Sequence, residues 1–104
     1  MYYIFMWTRL ATDSDFEGIA GIDAAAALDE DRRGLISRGF AQEGCWISGH
    51  DRLPEGYLVL SRRHLFGRDF VSLVVVKISA RRRGVASALF QAAEAGATTR
   101  QLFT

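Results

Sequence analysis

The sequence predicts an α+β domain: a mainly antiparallel sheet flanked by helices. Three observations carry this. Runs rich in β-branched and aromatic residues at Cys45–His50, Gly56–Ser61 and Phe70–Ile78 are separated by short turns, the pattern of an antiparallel meander. Helical spacing of apolar residues occupies the region before these strands and returns after them. The third run leads through an arginine-glycine turn straight into the final helical pattern. The 104 residues suit a single domain spanning 1–104.

Composition narrows the function classes. With 49% hydrophobic and 24% charged residues the chain is globular in character. A net charge of +1 gives no global basic field for nucleic acid. Basic residues instead gather locally, at Arg62-Arg63 and Arg81–Arg83. The lone cysteine, Cys45, cannot form an internal disulfide, which fits a reducing, cytoplasmic setting. No run approaches the roughly 20 apolar residues of a membrane span, and the apolar start Met1–Trp7 lacks the basic flank and cleavage site of a signal peptide.

Taken in order, Met1–Trp7 reads as an extended apolar segment and Trp7–Ala11 as the first strand. Thr12 and Asp15 have the spacing of a capping box. The helix that follows carries Phe16, Ile19, Ala20, Asp23 and Ala26 on one stripe, with Asp23 the polar interruption and Gly18 and Gly21 as weak points. A second helix is expected over Leu28–Gln42, with acidic residues at its start and Leu35, Ile36 and Phe40 facing the core. After the strand Cys45–His50, the segment Asp51–Gly56 holds the only proline and reads as a turn. In Gly56–Ser61, Tyr57, Val59 and Ser61 alternate with Leu58 and Leu60. Gly67-Arg68-Asp69 turns into Phe70–Ile78, whose unbroken run Leu73–Val76 suggests burial on both faces. The last helix puts Val85, Ala88, Leu89, Ala92 and Ala93 on one face, and Thr98–Thr104 reads as a fifth strand.

The junction of strand and last helix carries the chemistry. A turn that opens a helix leaves several N–H groups unpaired and pointing one way, and the helix dipole adds to their pull on an anion. Arg81, Arg82 and Arg83 stand just before it. The residues therefore suggest a site for a phosphorylated ligand, against the plainer reading of an ordinary turn with solvated arginines.

Arg81-x-x-Gly84-x-Ala86, preceded by Val76-Lys77-Ile78-Ser79, resembles the Q/R-x-x-G-x-G/A signature of the GCN5-related N-acetyltransferases. The resemblance implies a three-layer fold around a mixed sheet, acetyl-coenzyme A as cosubstrate and no metal. It implies that backbone N–H groups across Arg81, Arg82, Arg83, Gly84, Val85 and Ala86 hold the pyrophosphate, with the Ser87 hydroxyl beside them. It also implies that the backbone of Val74 and Val76 holds the pantetheine arm, and that the Val74 amide is the oxyanion donor. The family continues past this helix with a fifth strand and further elements. The chain is thus expected to be truncated after the coenzyme-binding helix, or completed by another copy in a homodimer, possibly strand-exchanged.

The general base is where the sequence departs from the family. Many members carry a glutamate four residues before the position of Val74, and here Phe70 stands there. Asp69 is adjacent, although alternation turns it to the other face. Glu55 and His64 are the other candidates, an imidazole being suited to proton transfer near neutral pH. The family's usual general acid, a tyrosine after the fifth strand, would lie past the end of this chain. Cys45, His50 and His64 show no metal-ligand spacing, and Trp7 and Trp46 read as core. Three functions follow: direct acetyl transfer from acetyl-coenzyme A to a primary amine of a small molecule or peptide, a non-catalytic coenzyme-binding or assembly module of the same fold, and nucleic-acid binding through the arginine clusters. The near-zero charge and lack of interleaved aromatics disfavour the third.

Overall fold

Four strands form one antiparallel sheet in sequence order, with three helices on one face and one on the other, in the computed structural model of the chain. The structure describes residues 5–65 and 67–97, apart from the side chains at 63–65. The elements are β1 (Met6–Leu10), α1 (Phe16–Ile22), α2 (Ala25–Leu28), α3 (Glu30–Ala41), β2 (Cys45–His50), β3 (Leu53–Leu65), β4 (Arg68–Val76) and α4 (Val85–Gly96), with 3-10 turns at Asp13–Asp15 and Ile78–Ala80. The expected fifth strand at Thr98–Thr104 lies outside the described residues.

Alternation along β2 and β3 divides the interior into two cores. Cys45, Ile47, Tyr57 and Val59 face α1–α3 and pack with Ile19, Ala26 and Ile36. Trp46, Leu58 and Leu60 face α4 and pack with Val85, Leu89 and Ala93. This is the three-layer arrangement, and it follows from side chains of successive strand residues pointing to opposite faces.

Glycine lets α4 lie close to the sheet at both ends. A Cβ on Gly56 would stand 2.7 Å from Val85 Cγ1, and one on Gly96 would stand 2.6 Å from Trp46 Cζ2. Either side chain would force the helix away, because real Cβ contacts are not so short.

Several expectations about element bounds are corrected. The first helix does not run through Asp23. It breaks there, with Asp23 extended at φ −141° and its carboxylate accepting from the Ala25 N–H at 3.2 Å. The next long helix starts at Glu30 rather than Leu28, because Asp29 caps it by accepting from the N–H groups of Asp31 (2.9 Å) and Arg32 (3.2 Å). Leu28 is left 85% exposed. The turn expected over Asp51–Gly56 shrinks to Asp51-Arg52, and Pro54 sits inside β3 at a bulge opposite Gly49.

The largest correction concerns β4. It ends at Val76, and the run Leu73–Val76 is not buried on both faces: Val74 is 37% exposed. The strand is the outermost among the described residues, so its far side has no neighbour strand to cover it. β4 also carries a bulge. Val59 pairs with Leu73 but Leu60 pairs with Val71, leaving Ser72 as the extra residue, its hydroxyl bonded to that of Ser61.

Candidate functional site

A cleft of about 370 Å³ opens where β4 ends and α4 begins. Its walls are Val74, Val76, Ala80, Arg81, Arg82, Gly84, Val85, Ala86 and Ser87. The sequence reading nominated all of these except Ala80, a buried residue that closes the 3-10 turn after β4. Arg83 was nominated too but does not line the cleft. Its guanidinium turns to Glu55, with Nη1 3.5 Å from Oε2.

The backbone here favours an anion. Gly84 caps α4 at φ +87°, and Arg82 has φ +66°, so two left-handed residues stand within one four-residue turn. Alternating hands of this kind curl successive N–H groups towards a common point. The first backbone bond of the helix runs from Ala88 N–H to the Gly84 carbonyl at 3.0 Å. The N–H groups of Val85, Ala86 and Ser87 therefore precede the helical ladder, and no side chain caps them. The wall is apolar at Val74 and Val76 and cationic at Arg81 and Arg82. That suits a ligand with a neutral arm and a diphosphate.

The base candidates are placed differently. With the bulge at Ser72, Asp69 and Val71 share the α4 face with Val74, so the alternation argument that set Asp69 on the opposite face does not hold. Asp69 is nevertheless fully buried, with Oδ2 3.4 Å from Arg62 Nη1. Arg62 also donates to the carbonyls of Gly96 and Glu43 and lies over the Trp46 ring, so it ties the end of α4 to the sheet. Glu55 is buried between His50 and Arg83. His64 falls in β3, and its side chain lies outside the described residues. Phe70, at the position where many family members hold a glutamate, is half-buried opposite Ser61.

Two features escaped the sequence reading. One is the left-handed Arg82, since nothing in an arginine side chain signals φ > 0. The other is a cluster on the α1–α3 face. There the Tyr57 hydroxyl donates to Asp23 Oδ2 at 2.6 Å and Arg32 donates to the same oxygen at 2.8 Å. Burial alone would raise the Asp23 carboxyl, but the bonds from Tyr57, Arg32 and Ala25 outweigh it and hold the group below its usual range. Burial and the bond to Asp23 push the Tyr57 phenol well up. The signal was there in Asp23 as the one polar member of an apolar stripe. Cys45 is fully buried, and burial, then the Asp15 charge, pushes its thiol up to about 12, so it is no nucleophile.

A larger, open hollow of about 490 Å³ lies between Thr12–Ser14 and Ser37–Ala41, away from every residue nominated for chemistry. Among the described residues no three or more His, Cys, Asp or Glu side chains gather as metal ligands, and no helix is long and apolar enough to cross a membrane.

No family model and no curated protein matches the sequence. Solved structures do match. A GNAT-family acetyltransferase from Bacillus cereus is 26% identical, with a TM-score of 0.81 over 94% of this chain and 68% of that one. An aminoglycoside N-acetyltransferase solved with coenzyme A is 20% identical, with a TM-score of 0.74 over 91% of this chain and 70% of that one. The diaminobutyrate acetyltransferase of Paenibacillus lautus, solved with its diamino acid substrate and coenzyme A, is 18% identical, with a TM-score of 0.71 over 88% of this chain and 58% of that one. The three-layer sheet and the glycine-capped α4 are thus those of the GCN5-related N-acetyltransferase fold, to which these solved structures are similar.

Proposed function

We propose that the chain binds acetyl-coenzyme A in the cleft between β4 and α4 and passes its acetyl group to a primary amine. The observation that carries this reading is the turn Arg81–Gly84, whose two left-handed residues lead into uncapped helix N–H groups beside two cleft-lining arginines. In this reading the N–H groups of Val85, Ala86 and Ser87 hold the diphosphate, and Arg81 and Arg82 balance its charge. The exposed edge of β4 at Val74 and Val76 pairs with the amide groups of the pantetheine arm. Transfer forms a carbon–nitrogen bond and breaks the thioester carbon–sulfur bond; coenzyme A leaves as the thiolate, and the proton lost by the amine ends on it to give the free thiol. The Val74 N–H stabilises the charge that develops on the carbonyl oxygen.

Small-molecule amines are the favoured acceptors, because the solved neighbours include enzymes named for an aminoglycoside and for diaminobutyrate. β4 is the last strand among the described residues, so a further strand from this chain or from a second copy would pair along it, which is the basis for proposing a dimer.

A non-catalytic coenzyme-binding module is the second reading. It is favoured by Phe70 standing where a glutamate is common, and by Asp69 being buried against Arg62.

One experiment addresses both. Acetyl-coenzyme A is titrated calorimetrically into the wild type and Gly84→Glu, and thiol release is then followed with a panel of amines. We expect saturable binding by the wild type and a loss of about 100-fold or more in Gly84→Glu, since a side chain at φ +87° is strained and its carboxylate repels the diphosphate. A wild type that fails to bind, or a variant that binds equally, overturns the coenzyme site. Binding without turnover on any amine selects the module.

A further inference from the structure

We infer that Glu55 is a positioning residue that fastens the diphosphate-binding turn at both ends, rather than a proton acceptor. The inference rests on the coenzyme reading above and deepens it.

The Glu55 carbonyl accepts from Lys77 N–H at 2.8 Å, where the chain leaves β4 and enters the turn. Its carboxylate faces Arg83 at 3.5 Å, where the chain leaves the turn for α4. A single residue of β3 thus holds Lys77 and Arg83, and between these fastenings lie Ala80, Arg81 and Arg82, three walls of the cleft. The carboxylate is itself held from β2, through a hydrogen bond between His50 Nδ1 and Oε1. The residue is only 8% exposed, and the next one, Gly56, supports the first residue of α4. Preorganising a turn in this way lowers the ordering cost of ligand binding.

The sheet register argues against a base. Val74 pairs with Leu58, and Glu55 lies three residues further along β3, about 10 Å away at the strand rise, whereas a base must come within hydrogen-bond reach of the amine. Charge alone makes the opposite prediction from positioning. A carboxylate near a bound anion repels it, so neutralising Glu55 should tighten coenzyme binding if it acts only through charge. It should weaken binding if Glu55 holds the turn in shape.

The test measures Glu55→Gln in the full chain by calorimetry, with coenzyme A and, as a probe lacking the diphosphate, pantetheine. We expect coenzyme A to bind about tenfold more weakly and pantetheine to change by less than about twofold. Where turnover is measurable, KM for acetyl-coenzyme A should rise and kcat should hold. Arg83→Gln, a change at a half-exposed side chain that does not line the cleft, should give a similar loss, and the double variant should be no weaker than the worse single one. Unchanged or tighter coenzyme A binding in Glu55→Gln, an equal loss for pantetheine, or a kcat loss at constant KM overturns the inference. A wild type that does not bind coenzyme A overturns the coenzyme reading and this inference together. A wild type that binds, with Glu55→Gln unchanged, overturns this inference alone.

Discussion

The two faces of the sheet are built on different principles. On the α4 face, the cleft is assembled from one continuous stretch, β4 through the first turn of α4, where the main-chain N–H groups of Val85, Ala86 and Ser87 precede the helical ladder. On the other face, α1–α3 are joined to the sheet by side chains far apart in sequence, chiefly Asp23 with Tyr57 on β3, while Arg32 reaches back to Asp23 from α3. The first face shows how a backbone site can be specified locally, by a glycine at the right spacing. The second shows how a weakly helical segment is ordered by a partly buried polar staple. Three substitutions probe this contrast.

Gly56→Ala should have the largest effect. Its new methyl would meet Val85 Cγ1 at 2.7 Å and the Val75 carbonyl at 3.1 Å, which costs about 1–3 kcal/mol if the core cannot yield. It should lower both the denaturant midpoint and the affinity for coenzyme A, because the displaced residue, Val85, is the first of α4 and a wall of the cleft. A variant with reduced stability and intact affinity would break the link between α4 seating and the cleft.

Tyr57→Phe should cost about 0.5–1.5 kcal/mol, the net contribution of one hydrogen bond, and leave coenzyme affinity alone. A pH dependence accompanies it. The folded Asp23 carboxyl lies below its unfolded value, so the stability it contributes is present above about pH 4 and is lost as pH falls through the folded value. Thermal melts between pH 7 and pH 3 should show this acid loss in the wild type, less of it in Tyr57→Phe and least in Asp23→Asn. Identical pH profiles in all three would remove Asp23 as the staple.

Gly21→Ala should have the smallest effect and the opposite sign. Gly21 lies exposed in α1 with nothing within 4 Å of an added Cβ, so alanine should stabilise by about 0.5–1 kcal/mol. A rise in Tm with no change in ligand binding would sharpen the contrast: the same change of glycine to alanine harms one face and helps the other. A fall would mean that α1 needs its glycine for motion or for a contact outside the described residues.

Much of the sheet is legible in the sequence. The strand Cys45–His50 and the stripe Val85, Leu89, Ala93 are where the apolar spacing put them, because burial on one face imposes its period on the sequence. The region of the cleft was legible for a different reason: a glycine that must take φ > 0 leaves a mark at one position. The contents of the α1–α3 face were not legible. Asp23 marked a break in a stripe, but nothing local says that Tyr57, 34 residues on, completes it. Nor could alternation place Asp69, since the bulge that resets it comes from how β3 and β4 pair.

By itself, then, the sequence determined the order of the four strands, the alternation along β3, the face of α4 and the turn that opens the last helix. These follow from short-range spacing and from the backbone freedom of single residues. Only the tertiary structure decided that Arg83 turns from the cleft to Glu55, that Arg82 adopts a left-handed backbone, that Asp69 is buried against Arg62, and that Asp23 ties the helices to the sheet. The contacts of Arg83, Asp69 and Asp23 depend on which distant groups meet once the sheet has formed, and a buried charge is stable only when such partners surround it.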